Sequence, residues 1–338
     1  MGIDVSKDHL DLAICTNGKA APAIRIANTI SAIEEYISTF SEKNTLSTTL
    51  FCLEDTGIYI SFLLSAFITQ KVDFWVENAV QIKRSLGLQR GKNDAVDAQR
   101  IAEYASRFKD KVCLYEAKNE VIEQLSHLTA LRSRLVQSRK QIQVPLKETK
   151  TFAKKAMGNL IEKHSKNTLE SIEKDIKEIE TAIKELINSQ EDIKAMYDLT
   201  TSVVGVGEVT AVEILVSTQG FTKFTDAKKF ACYCGVVPFE HSSGKFRGRN
   251  RVSKMANLKL KSLLHMCTLA ATKKAGELKD YYERKLAEGK AKMSVLNALR
   301  NKIIQRIFAC VQSGKNTKKI IKKIWFYHRI QLQKNQIY

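Results

Sequence analysis

Short apolar runs separated by polar turns occupy the first third of the chain and predict a mixed α/β region. Strand-like runs cover residues 2–5, 10–15, 23–27, 50–53 and 72–76, and apolar residues at helical spacing cover 30–40, 58–69 and 95–107. Short polar turns join the first three strands, which predicts an antiparallel meander, whereas the later strands alternate with helices. Residues 1–112 are therefore expected to form one domain around a mixed sheet.

Residues 113–198 change to a pattern that is typical of long helices. Apolar side chains recur at alternating steps of three and four, with Glu and Lys between them, at Leu169, Ile172, Ile176, Ile179, Ile183 and Leu186. An earlier stripe, at Val121, Leu125, Leu128, Leu131 and Leu135, leads to Pro145, which we expect to break or kink its helix. The pattern predicts a coiled-coil spacer, either an antiparallel hairpin or a self-associating coil. An intramolecular spacer without a partner fits it equally well.

The remaining sequence predicts a compact, mostly helical region over residues 199–300 and a basic helical tail over 301–338. In residues 203–211, Gly205 and Gly207 alternate with apolar residues before a helix, which resembles a helix-hairpin-helix whose backbone N–H groups approach a phosphate. The same letters also form an ordinary tight turn between packed helices. The tail is Lys-rich and amphipathic over residues 315–334.

The charge of the chain is distributed unevenly, and this is the first indication of function. The 338 residues include 55 Lys and Arg against 36 Asp and Glu, a formal net charge of +19. Residues 239–338 hold 24 basic and five acidic side chains, so the whole net charge lies there. A concentrated basic field binds polyanions because it releases counterions from a nucleic-acid backbone. DNA or RNA is the predicted partner of this segment, and a merely solubilising tail is the alternative.

Cysteine usage and hydropathy point to a protein of the reducing cytosol. The seven cysteines are odd in number and scattered, and the closest pair, Cys232 and Cys234, lacks the spacing of a zinc knuckle. We interpret this pair as core thiols. No window of about 18 uninterrupted apolar residues is present, which predicts no membrane segment and a cytoplasmic location.

Four acidic residues occupy positions where carboxylates can meet. Asp4 lies within the first predicted strand, Glu54 ends the fourth, and Asp94 and Asp97 share a face at the start of a helix. Such carboxylates can converge on Mg²⁺, and two ions about 4 Å apart can hold both oxygens of a phosphoryl displacement. Taken singly, each has an ordinary role: Asp94 as an N-cap, Asp97 as a partner of the helix dipole and Glu54 as a surface acid.

These acids and a set of later motifs resemble one family. Residues 2–7 (GIDVSK), 54–59 (EDTGIY) and 92–98 (KNDAVDA) resemble the Asp, Glu, Asp, Asp signature of insertion-sequence transposases of the IS110 type, which are relatives of the Piv DNA invertases. The second half agrees in order, with Gly205 and Gly207, Phe221, Phe224 and Phe230, then residues 234–238 (CGVVP), 242–244 (SSG), 247–248 (RG) and 251–254 (RVSK). The similarity covers nearly the whole chain.

The resemblance implies a ribonuclease-H-like first domain, similar to the RuvC resolvase, in which Asp4, Glu54, Asp94 and Asp97 bind Mg²⁺. It also implies a serine nucleophile in a C-terminal transposase domain, located before a glycine and five residues after a proline; here this is Ser243. A serine that attacks a DNA phosphodiester forms a phosphoserine intermediate and conserves the bond energy for strand exchange. The basic residues that follow suit phosphate neutralisation, and they are Arg247, Arg249, Arg251 and Lys254.

The resemblance further implies a homo-oligomer, specifically a tetramer, and the selection of DNA by a structured bridge RNA. Family members usually begin several residues before the corresponding Gly-Ile-Asp, so we expect a shortened first strand. Two other functions are compatible with the residues: a metal-dependent nuclease of the Holliday-junction-resolvase type, in which water attacks, and an inert nucleic-acid-binding protein. Transposition through Ser243 is the prediction, in a chain of four parts bounded at 1–112, 113–198, 199–300 and 301–338.

Overall fold

The computed structural model describes residues 1–43, 46–85, 93–117, 119–153, 155–239, 242–243, 246–248, 251–252 and 255–317. The chain divides into two compact units, Met1–Ala117 and Lys118–Tyr338. The finer division into four parts stays a prediction. The tail helix expected over residues 315–334 lies outside the described residues from position 318 onward.

The first unit is built on a five-stranded mixed sheet. Its elements are β1 Gly2–Val5, β2 His9–Ala13, β3 Cys15–Thr16, β4 Lys19–Ala20, β5 Ile24–Ala27, α1 Ile30–Lys43, β6 Phe51–Glu54, α2 Ser61–Thr69, β7 Phe74–Glu77, α3 Ala79–Ser85 and α4 Asp94–Arg107. The strand order is β5–β2–β1–β6–β7. Strands β1, β2 and β5 pair antiparallel, and β1, β6 and β7 pair parallel. The predicted meander and mixed sheet are confirmed, and β1, for which we expected shortening, is paired on both sides.

The two faces of this sheet differ in chemistry because side chains alternate along each strand. Ile3 and Leu12 belong to the core that includes residues of α1 and α2. On the other face, Gly2 pairs with Ala13, and Ala13 packs against residues of α4. A Cβ atom on Gly2 would collide with the backbone of Ala98 and Ala102, so glycine is required at this position. The close approach of Gly2 to Ala98 and Ala102 places α4 directly on the face of the sheet that carries Asp4.

The second unit begins with an antiparallel hairpin of two long helices, α5 Glu120–Phe152 and α6 Lys155–Ser189. Ion pairs join residues that lie progressively closer in sequence toward the turn: Arg132–Glu180 at 2.7 Å, Arg139–Glu173 at 3.7 Å and Lys150–Glu162 at 2.6 Å. Ile176 and Ile183 of the heptad pattern are buried. Of the arrangements that the pattern allows, the chain therefore forms the hairpin.

Pro145 does not break α5, so that part of the prediction is wrong, whereas a kink at Pro145 stays a prediction. The helix includes Pro145 and continues to Phe152. A proline inside a helix removes one backbone donor and crowds the preceding turn. Two features offset this cost: the next residue, Leu146, is buried, and Lys150 forms its ion pair with α6.

The rest of the second unit is mostly helical, as predicted. It contains α7 Glu191–Thr201, α8 Glu208–Thr218, α9 Ala227–Tyr233, β8 Pro238–Phe239, β9 Ser242–Ser243, β10 Phe246–Arg247, β11 Arg251–Val252, α10 Leu258–Lys273, α11 Glu277–Ala287 and α12 Lys292–Ser313. Apolar side chains of α8, α9, α10 and α12 form its core, among them Ile214, Phe230, Leu264 and Ile303. None of the helices in the described ranges is long and apolar enough to span a membrane.

The turn that resembles a helix-hairpin-helix has a packing role at its first glycine. Gly205 has a φ of +92°, and a Cβ atom there would collide with the carbonyl oxygen of Cys267 on α10. Gly207 is the N-cap of α8, and no atom lies within 4 Å of the position that its Cβ would take. The tight-turn alternative therefore accounts for Gly205, whereas a phosphate contact at Gly207 stays a prediction.

All seven cysteines are free thiols. Cys234 is buried in the core of the second unit, and burial raises its pKa to about 12. Cys232 is half-buried and Cys113 is exposed. The interpretation of the closest pair as core thiols is therefore correct for Cys234 and wrong for Cys232. The two residues are two positions apart at the end of α9, and residues with this spacing lie on opposite sides of a helix.

Candidate functional site

Asp4 and Glu54 lie at the same end of two adjacent parallel strands. Ile3 of β1 pairs with Leu53 of β6, so the next residue on each strand is one of the two acids. Both acidic residues are half-buried. Asn28 ties together the segments that follow them, since its Nδ2 atom donates to the carbonyl of Ser6 at 2.9 Å and to that of Tyr59 at 3.0 Å. The ends of both strands are thus held by one buried amide.

Asp94 and Asp97 lie in the first turn of α4, the helix seated on the same face of the sheet. The N-cap of this helix is Asn93, whose side chain accepts a hydrogen bond from the backbone of Ala95 at 3.2 Å. The alternative role of Asp94 as an N-cap is therefore wrong. Asp97 forms a 2.7 Å ion pair with Arg100. Negative side chains in this turn also interact favourably with the helix dipole.

The acids affect one another electrostatically at Asp4. Burial and then the negative charges of Asp94, Asp97, Glu54 and Asp11 raise the pKa of Asp4 to about 6. Proximity to like charges and loss of solvent both disfavour the ionised carboxylate. The structure therefore gathers all four acids that the sequence singled out into one electrostatic neighbourhood, and it adds a fifth.

The donor set suits a hard divalent cation, because every candidate ligand is a carboxylate oxygen. The raised pKa of Asp4 also indicates that negative charge accumulates at this site, and a bound dication would neutralise that charge. Across the described part of the chain, no three His, Cys, Asp or Glu side chains are yet close enough to hold a metal ion.

Two further acids near this site escaped the sequence analysis. Asp11 is only 3% exposed and pairs across the strands with Asp4. The sequence did not reveal this pairing, because register depends on the length of the turn: the three-residue turn 6–8 would place position 10 opposite Asp4, whereas the observed pairing places Asp11 there. Glu77 pairs with Glu54 on the neighbouring strand, but Tyr104 donates to its carboxylate at 2.9 Å and the backbone of Asn78 donates at 2.6 Å. Glu77 therefore has a structural role.

Ser243 lies in a short ribbon of paired strands, which we call the serine ribbon (residues 238–252). Strands β8 and β11 pair Pro238 with Val252, and in the sequence between them β9 pairs with β10, with Ser243 opposite Phe246 in the register. Arg247 and Arg251 belong to the same ribbon. The other predicted phosphate-binding residues, Arg249 and Lys254, lie outside the described residues.

Hydrogen bonds to neighbouring elements hold the backbone just before the serine ribbon and just after it. Before the ribbon, the carbonyl of Val236 accepts a 2.6 Å hydrogen bond from Asn297 Nδ2 on α12. Arg300, on the same helix, contacts His265 Nδ1 through Nη2 at 2.8 Å. After the ribbon, the backbone N–H of Asn257 donates to the carbonyl of Tyr233 at 2.9 Å. Sequence patterns did not reveal Asn297, because a single polar residue in a helix carries no sign of its long-range partner.

Comparisons with known proteins agree with these motifs. Residues 1–149, which include Asp4, Glu54, Asp94 and Asp97, match a transposase family model for the DEDD type of IS110 elements. Residues 197–283, which include Ser243, match the model of the transposase IS116/IS110/IS902 family.

Individual proteins are similar to this chain over only part of their length. The protein of insertion element IS110 from Streptomyces coelicolor is 29% identical over 133 residues, which are 39% of this chain and 33% of that protein. The transposase for insertion sequence element IS1111A from Coxiella burnetii is 28% identical over 204 residues, 52% of this chain and 54% of that protein. The probable family 20 transposase from Pseudomonas aeruginosa is 26% identical over 200 residues and is covered to 57% of its length. The chain thus spans from a third to just over half of these relatives, and both of its family matches indicate that it belongs to the IS110 family of insertion-sequence transposases.

Proposed function

We propose that this chain is a DNA recombinase that cuts and rejoins DNA through a covalent intermediate on Ser243, assisted by the acids of its first unit. The observation that carries the proposal is that Glu54, Asp94 and Asp97 lie close enough to Asp4 to affect its ionisation. In the same chain, the segment that contains Ser243 matches a transposase family. Family membership supports DNA as the substrate.

A ribonuclease-H-like fold for the first unit is part of the proposal. It is supported by the order β5–β2–β1–β6–β7, in which three antiparallel strands continue into two strands parallel to β1. The acids fit this topology, because Asp4 is on the central strand and Glu54 is on its parallel neighbour. In sheets of this kind the ends of parallel strands are where ligands bind.

The residues have separate tasks in the proposed reaction. Asp4, Glu54, Asp94 and Asp97 would hold Mg²⁺, which when bound stabilises negative charge on the phosphoryl oxygens. The Ser243 hydroxyl oxygen forms a bond to phosphorus, and the bond from phosphorus to one deoxyribose oxygen breaks, so that this oxygen leaves as a hydroxyl with a proton. A hydroxyl of another DNA strand then attacks the phosphoserine and releases the serine. Arg247, Arg249, Arg251 and Lys254 neutralise the DNA phosphates.

Adduct mapping tests the proposal. The chain is incubated with Mg²⁺ and with the DNA and RNA encoded beside its gene, and covalently linked peptides are identified by mass spectrometry. We expect a nucleotide on Ser243 in the wild type and in Ser242→Ala, and no adduct and no strand exchange in Ser243→Ala. An adduct on Ser242 contradicts the assignment. Cleavage without any adduct supports the hydrolytic nuclease, and the absence of both cleavage and exchange supports an inert binding protein.

The proposed partners are a bridge RNA and further copies of the chain, with a tetramer as the assembly. The concentration of positive charge in residues 239–338 supports nucleic-acid binding. Self-association is supported by exposed apolar side chains near the turn of the helical hairpin, where Phe152 is 87% exposed and Met157 and Leu160 are each about half exposed. Light scattering of the purified chain, alone and with the RNA, measures the assembly.

A further inference from the structure

A row of three charged residues crosses the antiparallel part of the sheet. Asp4 on β1 pairs with Asp11 on β2, and Asp11 pairs with Arg25 on β5. Directly paired residues project from the same face of a sheet. The row therefore lies on the face that α4 covers, and it runs from the central strand of the acidic site to the edge strand.

Arg25 holds Asp11 in a two-point contact. Its Nε atom donates to one carboxylate oxygen of Asp11 at 3.1 Å, and its Nη2 atom donates to the other at 2.9 Å. The carboxylate of Asp11 is buried, whereas the guanidinium is half exposed. A buried carboxylate is costly without a partner, so Asp11 fixes the position of Arg25.

The same guanidinium reaches the acidic site. Arg25 Nη2 lies 3.5 Å from one carboxylate oxygen of Asp94, in the first turn of α4. Arg25 thereby links the sheet to the helix that carries two of the four acids. The contact is an ion pair through Oδ2 of Asp94, and both side chains are about half exposed.

We propose that Arg25, fixed by Asp11, is a positioning residue that orients Asp94 for metal binding in the acidic site. The inference rests on the proposed function, because it presumes that Asp94 is a metal ligand. Outer partners of metal ligands fix the orientation of the ligands and raise the affinity for the metal. Arg25 is such a partner of Asp94 through an ion pair at 3.5 Å. Arg25 can act in this way because its own position is set by a second, buried carboxylate.

Mn²⁺ affinity tests this role by the direction of its change. Removing a positive charge beside a cation site should by itself tighten cation binding, whereas losing the orientation of Asp94 should weaken it. We expect Arg25→Gln to bind Mn²⁺ about tenfold more weakly than the wild type in a paramagnetic-resonance titration, the lower end of the effect typical of such residues. Arg25→Lys should lose less, because a lysine keeps the charge but cannot make the two-point contact.

Two controls make the result specific. Arg107→Gln removes a guanidinium that pairs with Glu103 on the same helix, and it should bind Mn²⁺ as the wild type does. Asp97→Asn removes a carboxylate of the acidic site, so the Mn²⁺ binding that this variant loses is the binding that belongs to that site. Equal or tighter binding by Arg25→Gln, with binding still dependent on Asp97, overturns the role of Arg25 alone. Binding that does not depend on Asp97 overturns the metal site and this role together. Should Arg25→Gln fail to fold, wild-type affinity in Arg25→Lys overturns the inference.

Discussion

The acidic site and the serine ribbon are held in place in opposite ways. Strands β1 and β6, which carry Asp4 and Glu54, are interior strands of a five-stranded sheet and are hydrogen-bonded on both sides. The described strands of the serine ribbon are two residues long, and each pairs with one other strand. On either side of the ribbon the backbone is instead held by single hydrogen bonds, from Asn297 Nδ2 to the carbonyl of Val236 and from the backbone N–H of Asn257 to the carbonyl of Tyr233.

Because of this difference, the two sites should respond differently to amino-acid substitutions. In the acidic site the sheet sets the backbone of Asp4 and Glu54, and α4 sets that of Asp94 and Asp97, so substitutions there should act through charge and leave the fold intact. At the serine ribbon the position of the backbone depends on single hydrogen bonds, so substitutions remote from Ser243 should lower the reaction rate by misplacing it. The following predictions test this contrast in order of expected effect.

The largest effect is expected from removing one charge from the acidic site. Asp97→Asn should lower strand exchange by about a thousandfold or more, since charge stabilisation by a bound metal is worth several kcal/mol. DNA and RNA binding, measured by filter retention, should stay within a few fold of the wild type. Recombination at the wild-type rate would contradict the assignment of Asp97.

A smaller effect is expected at the base of the serine ribbon. Asn297→Ala removes the hydrogen bond to the carbonyl of Val236 and should lower the strand-exchange rate by about 10- to 100-fold through misplacement of the ribbon. The free energy of unfolding should fall by only about 1 kcal/mol.

Gln312→Ala is the matched control for Asn297, because Gln312 lies on the same helix and donates to the carbonyl of Thr225 at 2.8 Å, away from the ribbon. Its exchange rate should equal that of the wild type. Equal rates in the two variants would show that the anchor at Val236 does not position the serine.

The smallest effect concerns stability and pH. The pKa of Asp4 in the folded chain is about 6, above its ordinary value, so ionisation of Asp4 opposes folding. The stability that this residue provides when protonated is present below about pH 4 and is lost as the pH rises through 6. Asp4→Asn should therefore unfold in urea with a free energy about 1 kcal/mol higher than the wild type at pH 8, after allowance for solvent screening. The difference should shrink at pH 4, and a constant difference would contradict the repulsion argument.

The first unit was predictable to a large extent because its signals are local. Short apolar runs predicted β1, β2, β5, β6 and β7, and helical spacing predicted α1, α2 and α4, each to within a few residues. The small hairpin of β3 and β4 and the helix α3 were missed, because two-residue strands and a seven-residue helix contain too few positions to show a period. The break expected at Pro145 does not occur, since packing against α6 outweighs a local preference.

By itself the sequence determined which side chains stand at the ends of strands and at the start of a helix, and it carried the motifs of a transposase family. Only the tertiary structure decided that Asp11 lies beside Asp4, that Arg25 reaches Asp94 and that Asn297 anchors the serine ribbon. The physical reason is that periodicity reports on neighbours within one element. Contacts between elements depend on strand register and on how closely helices approach, as at Gly2 under α4.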